Sequence, residues 1–152
     1  MNPGSLERKP LMKKTLLFAA ALALAFVIGA VSQTPRTSKH RVVFQLDEPE
    51  GGAWDSLVKH VNNTRDALAK DGGSQVEVVF WGAGLNMLRK TNSAYEARLK
   101  QLSDDGVTLS ACRNAMRVMN VKTEDLLPFA SEVDSGIAEV VRKQESGWAY
   151  IH

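Results

Sequence analysis

Residues 75–84 read QVEVVFWGAG, and residues 105–120 read DGVTLSACRNAMRVMN. Both begin with a short β-rich run and end in residues suited to a turn or a helix start. The run Gln75–Trp81 is apolar in its later half, and Gly82-Ala83-Gly84 follows at once. The run Val107–Ala111 closes on Cys112, and Arg113–Asn120 has a helical composition. Short apolar strands bounded by glycine, with helical stretches between them, predict βαβ units and a parallel sheet buried on both faces.

The same alternation extends in both directions. Upstream, Arg41–Leu46 (RVVFQL) reads as a strand and Asp47 to Gly52 (DEPEGG) as a turn-rich loop. Trp54 to Lys70 carries Leu57, Val58, Val61, Ala67 and Leu68 at helical spacing, and Asp71, Gly72 and Gly73 end it. Between the two quoted runs lie a short helical piece through Leu85 and Leu88 and a longer helix with Tyr95, Leu99 and Leu102 on one side. Asn92 or Ser93 is the expected cap of the longer helix, and Asp104-Asp105-Gly106 its stop. Downstream, Thr123 is the expected cap of one turn through Leu127, ahead of Pro128. Phe129–Val133 reads as a short strand, and Ser135 opens a helix with Ile137, Val140 and Val141. After Gly147, Trp148–Ile151 reads as a final strand. The expected fold is α/β: one domain with a mostly parallel, about five-stranded sheet and helices on both faces. In such sheets chemistry gathers beyond the C-terminal ends of the strands.

A length of 152 residues fits one such domain. The formal net charge of +2 comes from the N-terminus. The first 32 residues hold four basic residues against one acidic, so the remainder has 15 basic and 16 acidic residues, a net of −1. That balance gives no basis for nucleic-acid binding. Lys13 and Lys14 precede an apolar run from Leu16 to Val31, with no charge between Thr15 and Pro35. A basic start, an apolar centre and small residues near Ser32 describe a secretory signal peptide. The competing reading is an uncleaved anchor over residues 15–35, in which case the membrane is met through this segment alone. Met12 is a natural start for either. The expected organisation is a signal peptide or anchor over 1–32, a linker over 33–40 and the α/β domain over 41–152, periplasmic or otherwise exported.

An exported domain with one cysteine cannot close an internal disulfide, so Cys112 is either buried and inert or free to react. Its place between a strand and a helix matters. Free N–H groups and the dipole at a helix start stabilise negative charge, and the thiolate is the nucleophilic form of a cysteine. Arg113 adds positive potential if its side chain turns that way. The plain alternative is a small apolar residue at a strand end. The glycines Gly82 and Gly84 permit a sharp turn and expose backbone N–H groups at the same sheet edge, although a simple tight turn has the same composition. Met87 stands where a dinucleotide fingerprint needs a third small residue. His40 falls in the linker, His60 in a helix and His152 at the terminus. No metal-ligand spacing involves Cys112 and no cofactor is expected. Asp47, Glu48 and Glu50 read as a solvated loop. Met87, Met116 and Met119 read as packing residues, and Trp148 and Tyr150 as core or interface.

Taken in order, RVVFQL, Trp54 with VNNTRDAL, VEVVFWGAGLNML, DDGVTLSACRNAM, EDLLPFASEVDSGIAEVVRKQ and GWAYI resemble the DsrE/DsrF-like family of small sulfur-relay proteins across Arg41 to Ile151. The resemblance implies an α/β sheet fold and a homo-oligomer, trimer or hexamer. It implies a cysteine that accepts sulfur as a persulfide from a protein donor and passes it to an acceptor. Cys112 holds the matching position and Asn114 fits the motif. Ala115 departs from it, where related sequences commonly carry Thr.

Three functions follow as expectations. In the first, Cys112 is a sulfur carrier, with Gly82, Gly84, Arg113 and Asn114 around the sulfur. In the second, the chain is a non-catalytic oligomeric binding module outside the cytoplasm, with Cys112 lining its pocket. The third, an exported thiol redox enzyme, ranks last because the chain has no second, resolving cysteine.

Overall fold

The computed structural model describes residues 39–152, so the signal or anchor segment and nearly all of the linker lie outside the described residues. Five strands form one sheet: β1 (His40–Leu46), β2 (Ser74–Phe80), β3 (Thr108–Cys112), β4 (Ser131–Val133) and β5 (Ala149–Ile151). Their order is β4-β3-β2-β1-β5, and every pairing is parallel. The helices are α1 (Gly52–Ala69), α2 (Ser93–Asp104), α3 (Arg113–Val118) and α4 (Gly136–Glu145). Short 3₁₀ segments occupy Gly82–Leu88 and Thr123–Asp125.

The order of the strands decides which face each helix covers. From β1 to β4 the chain steps across the sheet in one direction, and right-handed crossovers put the intervening segments on one face. From β4 it returns across the whole sheet to β5, so the same handedness places α4 on the other face.

Strand alternation then sorts the side chains. Val42, Phe44, Leu46, Val76, Val78, Phe80, Leu109 and Ala111 point into the large core with Trp54, Leu85, Leu99 and Leu127. Trp54 is fully buried, stacks edge-on against Tyr95 with ring centres 5.3 Å apart, and donates its indole N–H to the Glu48 carbonyl. The intervening residues face α4. They include a small cluster of Val43 and Val79 with Val140, flanked by half-buried Trp81, Val133, Trp148 and Tyr150. Two polar residues are also buried on this face, Glu77 and Ser110.

The architecture matches the sequence expectation, with local differences. His40 belongs to β1, where its N–H donates to the Gly73 carbonyl, and not to the linker. The strand expected over Phe129–Val133 is only Ser131–Val133. The helix after Cys112 stops at Val118, two residues short of the expected end, and Asn120 takes a left-handed φ of 52°. Thr123 does not cap the turn that follows. The Asp125 carboxylate accepts from the Lys122 N–H there, and the Thr123 hydroxyl donates to Glu132. In α4, Val140 is buried, whereas Ile137 and Val141 are exposed.

Candidate functional site

Cys112 is the last residue of β3. Ala111 before it points into the large core, so Cys112 points to the α4 face, as Ser110 does. Its residue exposure is 4%. The group that addresses the sulfur is not the one its sequence neighbours suggest. The Gly136 N–H donates to Cys112 Sγ at 3.1 Å, and Gly136 is the first residue of α4. The helix that follows Cys112 in the chain, α3, has six residues. The distant α4 therefore brings its N-terminal turn, where N–H groups lack partners within the helix, onto the sulfur.

Three local features hold that turn in place. Ser135 caps it, its hydroxyl oxygen accepting from the Ala138 N–H. Arg142 forks onto Asp134 at 2.9 and 2.7 Å, and this hydrogen bonding holds the Asp134 carboxyl down to about 2. Gly136 has no room for a side chain: a Cβ there would lie 2.5 Å from Trp81 Cε3 and 3.3 Å from Cys112 Cβ. Only glycine lets the backbone approach the sulfur this closely.

A cleft of about 550 Å³ opens beside the sulfur. Trp81, Gly82, Ala83 and Asn86 form one side, and Asn114, Ala115, Val118 and Met119 the other. Ser135 and Ile137 close it. No charged side chain lines it among the described residues, and its polar groups are amide and hydroxyl. Val118 is 87% and Ile137 66% exposed, which leaves the rim apolar and open to solvent.

The sequence-predicted residues divide. Gly82 and Asn114 line the cleft with Cys112. Gly82 has φ 50°, and a Cβ on it would lie 3.3 Å from the Asp47 carbonyl oxygen, so glycine there is a conformational requirement. Gly84 does not line the cleft: a Cβ on it would lie 2.3 Å from the Leu46 carbonyl oxygen, and its N–H donates to the Asp47 carbonyl. It is the close contact that seats the 3₁₀ segment against the end of β1. Arg113 does not line the cleft either. Its Nε donates to Glu132 at 2.8 Å, and the Thr123 hydroxyl reaches the other oxygen at 2.6 Å. Those bonds, Thr123's first and then Arg113's, hold the Glu132 carboxyl below the usual carboxylate range. Asn114 accepts from Arg117.

Sequence reasoning missed Trp81, Asn86, Ser135 and Gly136 as site residues. The Ser-Gly pair opening α4 was a visible signal, since glycine at a helix start beside a serine cap marks close backbone approach. The sheet also brings together three groups that sequence reading kept apart. Asp47, Glu48 and His152, all exposed, each place one ligand-type atom within 4.8 Å of the others. They lie together because β5 runs parallel beside β1, so both strands end at the same edge.

The profile of the DsrE/DsrF-like family matches residues 54–152. Among solved structures, the chain is similar to a protein of unknown function, MTH1491, from Methanobacterium thermoautotrophicum. That likeness has 36% sequence identity and a TM-score of 0.70, and covers 74% of this chain and 97% of the other. The ychN protein from E. coli is similar in fold, with 10% identity, a TM-score of 0.62 and the same coverage. No curated protein matches.

Proposed function

This chain belongs to the DsrE/DsrF-like family, and on that footing we propose that it carries sulfane sulfur as a persulfide on Cys112. The observation behind this reading is the Gly136 N–H aimed at Cys112 Sγ, at the wall of an uncharged cleft. A hydrogen-bond donor at a helix start favours the anionic sulfur that both loading and delivery require.

The chemistry balances on thiol groups alone. The Cys112 thiolate attacks the outer sulfur of a donor persulfide. A new S–S bond forms at Cys112, the donor's S–S bond breaks, and the donor leaves as a thiolate that takes a proton from water. In delivery, an acceptor thiolate attacks the terminal sulfur and Cys112 departs as the thiolate. Asn86 and Asn114 supply neutral polar contacts, and Trp81 and Met119 limit water from opposite walls of the cleft.

The family resemblance adds a homo-oligomer, trimer or hexamer, with a protein donor and acceptor. The exposed Val118 and Ile137 at the cleft rim support a partner surface there. The basic-then-apolar N-terminal segment supports export.

The test is to treat the folded full chain with polysulfide and map added mass by peptide mass spectrometry. One sulfur atom gained on Cys112, lost on addition of a thiol acceptor and absent in Cys112→Ser, is the expected result. A folded protein that gains none, while the same chain unfolded gains one, defeats the proposal and leaves the non-catalytic module.

A further inference from the structure

Helix α4 carries the Gly136 N–H, yet little apolar packing fixes where it sits along the sheet. Its cluster has three buried residues, Val43, Val79 and Val140, against a far larger core on the other face. Such contacts favour burial without choosing one axial position, because hydrophobic attraction is non-directional.

The same face carries directional contacts that the sulfur chemistry leaves unused. Glu77 sits in the middle of β2 within an apolar run and is 3% exposed. One of its carboxylate oxygens accepts from the Ser110 hydroxyl at 2.7 Å, and the other pairs with the Lys143 ammonium of α4. The Ser110 and Ser131 hydroxyl oxygens lie 3.0 Å apart, and Ser131 donates to the Leu109 carbonyl. The Lys143 ammonium also lies 4.2 Å from the Trp148 ring centre and 3.6 Å from Glu139. The network thus joins α4 to β2, β3 and β4. On β3 it ends two residues before Cys112, on the same face. On α4 its link to the sheet is Lys143, seven residues after Gly136, about two helical turns.

A buried ion pair is a poor stabiliser, because desolvation offsets the attraction and apolar replacements are commonly neutral. Its best-attested use is to select one register. Resting on the reading of Cys112 as a reactive sulfur, we propose that Glu77 and Lys143 are positioning residues. They fix the axial position of α4 and so hold the Gly136 N–H on Cys112 Sγ.

The test uses the ¹⁵N-labelled full chain. The Gly136 amide resonance is identified by its shift in Cys112→Ala. The variants are Glu77→Gln, which keeps shape and the Ser110 contact, and the apolar pair Glu77→Leu with Lys143→Met. In both, the Gly136 resonance is expected to move towards its Cys112→Ala position. The apolar pair is expected to do so while its melting temperature stays near that of the parent, which a merely structural role would not produce. A Gly136 resonance that stays in place in either folded variant overturns the proposal. If the apolar pair does not fold, Glu77→Gln decides by the same resonance. The outcome stands apart from sulfur loading: a parent chain that takes no sulfur but whose resonance moves in the variants removes the carrier reading and leaves the positioning intact.

Discussion

Substituting Gly136→Ala probes the contact on which the proposed chemistry depends. The added Cβ would meet Trp81 Cε3 at 2.5 Å, and ordinary contact begins at 3.4 Å. With the Trp81 ring in place just after β2, restoring ordinary contact lifts the start of α4 by about 0.9 Å. Such a shift takes the N···S separation from 3.1 Å to about 4 Å, the limit of a hydrogen bond to sulfur. The overlap costs about 1–3 kcal/mol, and alanine returns up to about 1 kcal/mol through its helix preference. The expected net is a loss of up to about 3 kcal/mol, seen as a lower melting temperature in a folded protein. A hydrogen bond to a charged group is worth at least about 1.5 kcal/mol, and about 1.4 kcal/mol is a factor of ten. Sulfur transfer to Cys112 passes through an anionic sulfur that loses this bond, so its rate should fall about tenfold. The assay is the rate at which peptide mass spectrometry detects the added sulfur on Cys112, with Cys112→Ser as the blank. A folded Gly136→Ala protein that loads sulfur at the parent rate would refute the assignment of Gly136 as the group that stabilises the sulfur.

Further outcomes follow from the same structure. Because no charged side chain lines the cleft, Cys112 should react with iodoacetate about tenfold more slowly, relative to iodoacetamide, than free cysteine does; Val118→Lys at the rim should narrow that gap, and equal discrimination in all three cases would count against an uncharged site. The Asp134 carboxyl, held down to about 2 by Arg142, lies below the unfolded value of about 3.9, so its contribution is complete above that value and is lost as pH falls through 2. The melting-temperature difference between the parent and Asp134→Asn should accordingly be constant from neutral pH to about 5, shrink below that and vanish at about pH 1. Trp54→Ala removes a fully buried indole from the large core and should cost about 3–5 kcal/mol in denaturant unfolding; a loss under about 1 kcal/mol would contradict the burial.

Much of the fold could be read because the local signals agreed with one another. The run VEVVF followed by Gly-Ala-Gly, and VTLSA followed by a helical stretch, could pack only as buried parallel strands with crossovers between them. Ser135 as a helix cap was legible for the same reason, since a side chain bonding to an N–H three residues on is a local event. Strand ends were less legible. Phe129 and Ala130 have strand-like chemistry but pack against the large core before β4 begins. Ile137 and Val141 read as part of an apolar face, yet α4 turns only Val140 fully onto the sheet.

By itself the sequence determined the alternation of strands and helices, the family, and the position of the one cysteine at a strand's C-terminal end. These depend on neighbours within a few residues, where period, caps and glycines act. Tertiary structure alone decided what the sulfur meets. Sequence adjacency pointed to the α3 N-terminus and Arg113, but Arg113 turns to Glu132, and the donor comes from Gly136, 24 residues away. The physical reason is handedness. The return from β4 to β5 must cross the sheet on the opposite face, and that crossing lays the start of α4 over the end of β3. No local pattern around Cys112 carries that information, because it belongs to the order of the strands.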